Sequence, residues 1–280
     1  MQYYYLISGL PDISFDDIKS LYTVQSFKKE LDELLSKQDI KIINSLFLKY
    51  DNDNLLLFLN NKDAVLDKKG TLSHKDFIDL VQSVKVEEDT EEKKSLNKNI
   101  PDYLKSFVID YLTGIDALTS MFWEDQLSGL YYDYLSKSPN IFIQRWAEFN
   151  LNIYNILIAL ACRRKKEDPS LFIVGNNEIA TMLCKSNARD FGITAEIFEH
   201  IENVKRIDEE TNILEKEQKI DLLRWQWIEN EIFFNYFTIE RITAFLLKLQ
   251  MLERWLSLNE ERGKQIYADI VERLKKVELL

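Results

Sequence analysis

Apolar residues recur at three- and four-residue intervals along most of this chain, the spacing of helices that each bury one face. Phe27, Leu31, Leu34 and Leu35 form one such stripe, and Ile43, Leu46, Phe47 and Tyr50 form a second, so this region reads as a helical pair. Ser14 with Asp17, and Ser73 with Asp76, have the spacing of capping boxes and predict two helix starts, the second leading through Phe77, Leu80 and Val81. The polar stretch Asn60 to Gly70 predicts a break between them. Pro101 suits a first helical turn, and Tyr103, Phe107, Ile109, Tyr111 and Leu112 supply the apolar positions that follow. At the N-terminus, Tyr3 to Ile7 is aromatic and β-branched and is closed by Gly9 and Pro11, which predicts a strand or extended arm.

The most informative pattern begins at Ser138-Pro139, an N-cap followed by a proline at the first helical position, and runs to about Lys166. Phe142, Trp146, Phe149, Ile153, Leu157 and Leu160 make one stripe, and Leu151, Tyr154, Ile158 and Ala161 make another. A helix this apolar around its circumference belongs at the centre of its domain. Its remaining face carries Gln144, Glu148, Asn152 and Asn155, where a surface helix usually carries Lys and Glu, and it is the candidate partner-binding face. If a neighbour covers that face the amides satisfy one another, and if it is open it suits a partner helix bound through polar contacts.

Asp168-Pro169 repeats the cap-then-proline signal, Gly175-Asn176-Asn177 leads into a short helix from Glu178 to Cys184, and Thr194 caps another through Ile197, Ile201 and Val204. From Asp208 onward three helices are expected: one through Ile220, Leu223 and Trp227, one from Thr238 through Ile242, Phe245, Leu249 and Leu252, and an amphipathic one after Gly263. Laying residues 141–163 on 232–254 pairs Trp146 with Phe237, Leu151 with Ile242, Tyr154 with Phe245 and Arg163 with Arg254, a similarity that two amphipathic helices also reach without duplication.

Together these patterns predict an all-α protein, an elongated multi-lobe helical bundle with internally similar helices and a short extended N-terminal segment. Three lobes are expected, at 1–99, 100–205 and 206–280, the first ending in the charged, almost apolar-free stretch Val86 to Asn99 as a linker. Composition agrees: seven Gly and four Pro in 280 residues leave few tight turns, which favours long helices over many short strands. A chain of this length buries roughly three quarters of the surface that its unfolded form exposes.

Net charge is −11, and each expected lobe carries −3 or −4, so no region has the basic field that phosphate backbones or anionic lipids require. No basic-then-apolar leader precedes Tyr3, and apolar runs such as Ile156 to Cys162 fall far short of the ~20 residues of a membrane span. Cys162 and Cys184 read as buried free thiols of a reducing compartment, and the expected location is cytoplasmic.

The sequence offers little chemistry. Neither GxxxxGK[ST] nor GxGxxG occurs, and HExxH, CxxC and GxSxG are absent. His74 and His200 read as solvent-facing residues. Asp51-Asn52-Asp53-Asn54 opens like an EF-hand loop, but Leu55, Leu56 and Lys62 stand where later ligands and the glycine belong, so a helix-breaking turn is the reading. Glu229 and Glu231 read as the exposed face of a helix, and a carboxylate pair assembled from distant segments remains an open alternative. Tyr3-Tyr4-Tyr5 and Trp225/Trp227 suit either interface anchors or the core, with the core as the default. No catalytic residue, cofactor or metal is expected.

Two segments resemble the C-type stalk subunit of V/A-type ATPases. Residues 148–160, Glu-Phe-Asn-Leu-Asn-Ile-Tyr-Asn-Ile-Leu-Ile-Ala-Leu, are followed by Arg163-Arg164-Lys165 and by Phe172-Ile173-Val174-Gly175-Asn176, similar to an acidic residue and asparagine preceding a basic end and a Gly-containing loop. Residues 237–248, Phe-Thr-Ile-Glu-Arg-Ile-Thr-Ala-Phe-Leu-Leu-Lys, with Glu253-Arg254, are similar to a late helix of the same family. Residues 3–13 resemble an uncharacterised bacterial family encoded beside V-type ATP synthase subunits. The family-like positions are Asn150, Arg163, Glu240, Lys248 and Arg254. The resemblance implies helical lobes at the base of the central stalk of a proton- or sodium-transporting ATPase, coupling the rotor shaft to the membrane ring. The implied partners are the shaft and ring subunits, and the implied place is the inner face of the membrane, reached through them. A helical interaction scaffold of another cytoplasmic complex is the alternative.

Overall fold

A computed structural model describes residues 3–15, 22–87, 100–114, 123–186, 188 and 190–257. The described residues form an all-α protein: α1 (Tyr4–Gly9), α2 (Val24–Leu34), α3 (Lys37–Ser45), α4 (Leu48–Asn60), α5 (His74–Glu87), α6 (Asp102–Thr113), α7 (Trp123–Ser136), α8 (Ile141–Lys165), a 3-10 turn (Pro169–Leu171), α9 (Glu178–Lys185), α10 (Ile201–Asp208), α11 (Ile213–Glu231) and α12 (Ile239–Ser257). Among them no helix is long and apolar enough to cross a membrane.

The chain divides into two compact units, one made of residues 1–39 with 221–280 and the other of residues 40–220. The second unit runs straight across the expected linker, whose first residues, Val86 and Glu87, continue α5 and whose remainder lies outside the described residues.

In the unit of residues 40–220, α8 packs against α7 on one side and against α9, α10 and the 3-10 turn on the other. The unit grows outward from α7, which also meets α4 and α6, and α5 closes it against α6 and α4. Ile143, Ala147, Ile153, Ile156 and Ala159 of α8 are all but sealed from solvent, as its doubly apolar circumference requires. Asn140, two residues beyond the expected start, is the true N-cap: its Oδ1 accepts the Ile143 N–H at 3.1 Å. The Ser138 carbonyl is engaged instead by Gln144 Nε2 at 2.6 Å, which fixes the approach to the helix. At Ser73 and Asp76 the expected capping box forms, each side chain accepting the other's backbone N–H, at 2.8 and 3.3 Å. Thr194 does not begin a helix; its carbonyl closes a turn on Phe198, and α10 starts only at Ile201.

Asp51 to Asn54 make no turn. They lie inside α4, where Asp51, Asn52 and Asn54 point inward. Asp51 accepts from the Thr71 N–H and hydroxyl, both at 2.7 Å, and from the Leu72 N–H at 2.9 Å. Asn54 accepts the Asp67 N–H at 2.7 Å and donates to the Asp67 carbonyl at 3.0 Å, and Asn52 accepts the Tyr103 hydroxyl at 2.8 Å. These polar residues stay helical because distant loop groups satisfy their side chains, which removes the local competition with the helix backbone.

In the unit of residues 1–39 and 221–280, α2 lies along α12 and the Phe27 ring meets Phe245 with centroids 5.0 Å apart. Thr23 caps α2 with Ser26 in a reciprocal box, while the expected box at Ser14 and Asp17 extends outside the described residues. Tyr4 to Ile7 are helical, as part of α1 with Tyr3 as its N-cap, and not extended. Weak local preference is overridden there by tertiary bonds, because the Tyr3 N–H donates to the Phe237 carbonyl at 2.9 Å and the Tyr3 hydroxyl donates to Asp39. Trp225 and Trp227 are core residues, 4% and 8% exposed. The helix expected after Gly263 lies outside the described residues. Of the internal similarity, α8 is helical from Ile141, whereas its counterpart from Ile232 becomes helical only at Ile239.

Candidate functional site

The amide face of α8 is divided by the segment that follows the 3-10 turn. Asn155 is fully buried: it donates to the Val174 carbonyl at 2.8 Å and accepts the Val174 N–H at 3.1 Å, substituting for a strand-like neighbour. Asn152 is buried too and accepts from Asn177 Nδ2 at 2.7 Å, while Asn177 Oδ1 caps α9 through the Ala180 N–H at 2.9 Å. These two amides hold the chain's own loop and are withdrawn from any partner. Glu148 and Gln144, one and two turns nearer the N-terminus, stay accessible.

The accessible half of that face forms one wall of a cleft of about 380 Å³, lined by Tyr132, Asp133 and Ser136 of α7, by Gln144, Ala147, Glu148 and Leu151 of α8, and by Gly175, Asn176 and Asn177. Gly175 has φ +76°, and a Cβ there would come within 3.0 Å of Leu151 Cδ2, so only glycine lets the loop lie this close to α8.

The family-like positions scatter into structural roles. Asn150 donates back to the Trp146 carbonyl at 2.7 Å. Arg163 stacks on Phe191, its guanidinium carbon 3.6 Å from the ring centroid, beside a second cleft of about 360 Å³ that also reaches Lys166, Glu167 and Cys184. Glu240 sits in the first turn of α12, where a carboxylate complements the helix dipole. Lys248 binds Glu229 at 3.0 Å and lies 4.7 Å from the Trp225 ring, whose Nε1 donates to the same Glu229 at 2.9 Å. Arg254 binds Asp221, a carboxylate 2% exposed that also accepts from Arg224 at 2.9 Å and Trp255 Nε1 at 3.0 Å.

A second surface lies in the unit of residues 1–39 and 221–280, and of its residues only Tyr4 and Tyr5 belong to the candidate anchors that the sequence offers. The connection between α11 and α12 carries Phe233, Phe234 and Tyr236, exposed to 66%, 80% and 65%. The rings of Phe233 and Phe234 meet edge to face at 4.9 Å, and the next residue after Tyr236, Phe237, meets Tyr4 at 4.5 Å. The Tyr3–Phe237 backbone bond thus fastens α1 beside this connection and adds Tyr5, 98% exposed, and the half-exposed Tyr4. Exposed aromatic groups grouped in this way are the signature of a contact surface, since large rings gain most when a partner removes them from water.

Neither histidine is freely solvated: His74 packs edge-on against Phe58 at 5.1 Å, and His200 against Phe149 at 5.2 Å. Of the two free thiols Cys162 is buried as expected, but Cys184 is exposed. Among the described residues no three His, Cys, Asp or Glu side chains gather as a metal ion would require. Asp208 has a distinctive charge environment: burial pushes its carboxyl up, but hydrogen bonds from Arg164 and Lys216 outweigh that and hold it below the usual carboxylate range.

The chain belongs to the family described as protein of unknown function (DUF2764), whose match spans residues 1–278. No curated protein and no solved structure matches it.

Proposed function

We propose that this DUF2764 protein is a non-catalytic central-stalk or adaptor subunit of a V-type ATPase, coupling the rotor shaft to the membrane ring. The exposed aromatic surface of Tyr5, Phe233, Phe234 and Tyr236 carries the adaptor part of this reading. Rings of this size left in water are costly for a chain that acts alone, and useful for one that closes them against a partner. The stalk-like segments at 148–176 and 237–254 support the choice of complex. The protein reaches the inner face of the membrane through its partners and acts by gripping them.

The test is native purification from membranes of cells carrying either the wild-type chain or the triple variant F233A/F234A/Y236A, followed by native mass spectrometry. Wild-type protein should retain shaft and ring subunits, and the variant should lose them while keeping its thermal midpoint. Absence of every ATPase subunit from the wild-type preparation refutes the proposal. A different, reproducible set of partners would assign the chain to another complex as a helical scaffold.

A further inference from the structure

We propose that the chain, when free of its complex, closes the aromatic surface of Tyr4, Tyr5, Phe233, Phe234 and Tyr236 on a second copy of itself, as a two-fold dimer. The inference rests on the reading of these rings as a contact surface and names an occupant for it. Together the five residues expose about 700 Å². The largest apolar patch on an ordinary monomer is roughly 300–600 Å², whereas one partner's share of a standard specific interface is roughly 800 Å². Two copies of this surface bury about 1,400 Å² between them, which is within the range of a specific pair.

The composition of the surface suits a copy of itself. In a chain with 30% charged residues, residues 3–11 and 232–239 carry all five rings and hold no Lys, Arg, Asp or Glu. Around a two-fold axis each residue meets its own counterpart or that residue's neighbours, so a charge there would face its like. A ring surface without charges avoids that cost, and it offers no ion pair to a nucleic acid, a lipid headgroup or a charged peptide. Rings also complement one another edge to face, as Phe233 and Phe234 already do at 4.9 Å. Asp12, Glu231 and Glu240 adjoin the two segments, so a pair brings like charges together around its rim. That repulsion holds the dimer to modest affinity and lets a partner in the complex take over the same rings.

The test is sedimentation equilibrium of the pure, full chain from about 1 µM to about 300 µM. A monomer–dimer equilibrium with a dissociation constant on the order of 10 µM is expected for wild type. F233A/F234A/Y236A should weaken it at least about thirtyfold without moving the thermal midpoint. Y5E leaves the connection between α11 and α12 intact, sets a like charge into the ring surface at a residue 98% exposed, and should weaken the dimer at least about tenfold. Raising salt from about 0.1 M to about 0.5 M should tighten the wild-type dimer about two- to threefold by screening the acidic rim. A wild-type chain still monomeric at the highest concentration, open-ended growth past the dimer, or undiminished pairing in either variant would overturn the proposal. So would a dimer that salt loosens, because ion pairs would then be holding it. A monomeric pure chain that still retains shaft and ring subunits in native membranes strikes only the dimer, and a dimer found with no ATPase subunit in those membranes strikes only the stalk reading.

Discussion

Gly70 is the residue whose substitution should reveal most about how the larger unit is held. A methyl group built on it would stand 2.6 Å from both Asn54 Nδ2 and Asp51 Oδ1. Side-chain tips usually yield to such an intrusion, but these two are fully buried and committed: Asp51 takes three hydrogen bonds from Thr71 and Leu72, and Asn54 exchanges two with Asp67. Moving either one breaks bonds to groups that then stay buried, at about 1–3 kcal/mol each. Overpacking of the surrounding core adds about 1–3 kcal/mol. Gly70→Ala should therefore destabilise the protein by about 2–5 kcal/mol, which lowers the midpoint by roughly 5–15 °C in a domain of this size. Gly9→Ala is the matched control, since nothing lies within 4 Å of a Cβ at Gly9. Circular dichroism at 222 nm on heating, and urea titration for the free energy, measure both variants. A Gly70→Ala change within about 0.5 kcal/mol of wild type, the range of an indifferent surface substitution, would refute the claim that the Asp51 and Asn54 contacts are rigid.

Asn155→Ala should cost about 2–4 kcal/mol in urea unfolding, because the Val174 N–H and carbonyl both lose their partner inside the protein. Asp221→Asn should cost about 3 kcal/mol, the lower end for breaking a buried pair, since Arg254 is 41% exposed and can turn back to water; a fall in the denaturant midpoint checks it. Asp208 gives a pH signature: its carboxyl lies lower in the folded chain, so its contribution is complete above the unfolded value of about 3.9 and is lost as pH falls below it. Asp208→Asn should thus be less stable than wild type at neutral pH, with the gap closing below about pH 4 in midpoint-versus-pH curves.

Much of the fold was legible in the sequence because helices announce themselves locally. The double stripe from Phe142 to Leu160, the Ser73/Asp76 box and the cap-then-proline at Asp168 all act within a few residues, and each stands where expected. Misreadings occur where the deciding partner is far away in sequence. Asp51 to Asn54 resemble a turn until Asp67, Thr71 and Leu72 arrive to satisfy them. Tyr3 to Ile7 resemble a strand until Phe237 and Asp39 hold Tyr3 as the N-cap of a helix. At the start of α8, Ser138 and Asn140 are both good caps, and Gln144 reaching back to Ser138 settles the competition. The composition of the amide face was visible on α8, but which half the 173–177 segment would cover was not. Phe233, Phe234 and Tyr236 continue a helical apolar pattern, so nothing short of the break between α11 and α12 exposes them.

With only seven glycines and four prolines, the chain builds its loops from its helices. Residues 67–72 and 173–177 make their own turns at Gly70 and Gly175, and carboxylate and amide side chains projecting from α4 and α8 fasten those turns to the helices. A loop fixed this way moves with its helix, and a part that passes force between neighbours needs that property, because slack in its connections would absorb the motion it should transmit. Hydrogen exchange examines this directly. The amides of Thr71, Leu72 and Val174 lie outside any helix yet donate to Asp51 or Asn155, so they should exchange only in the large openings that also free the α8 core. Exchange at these three positions as fast as in an open loop would mean that the clamps release easily, and the case for a stiff body would fall with them.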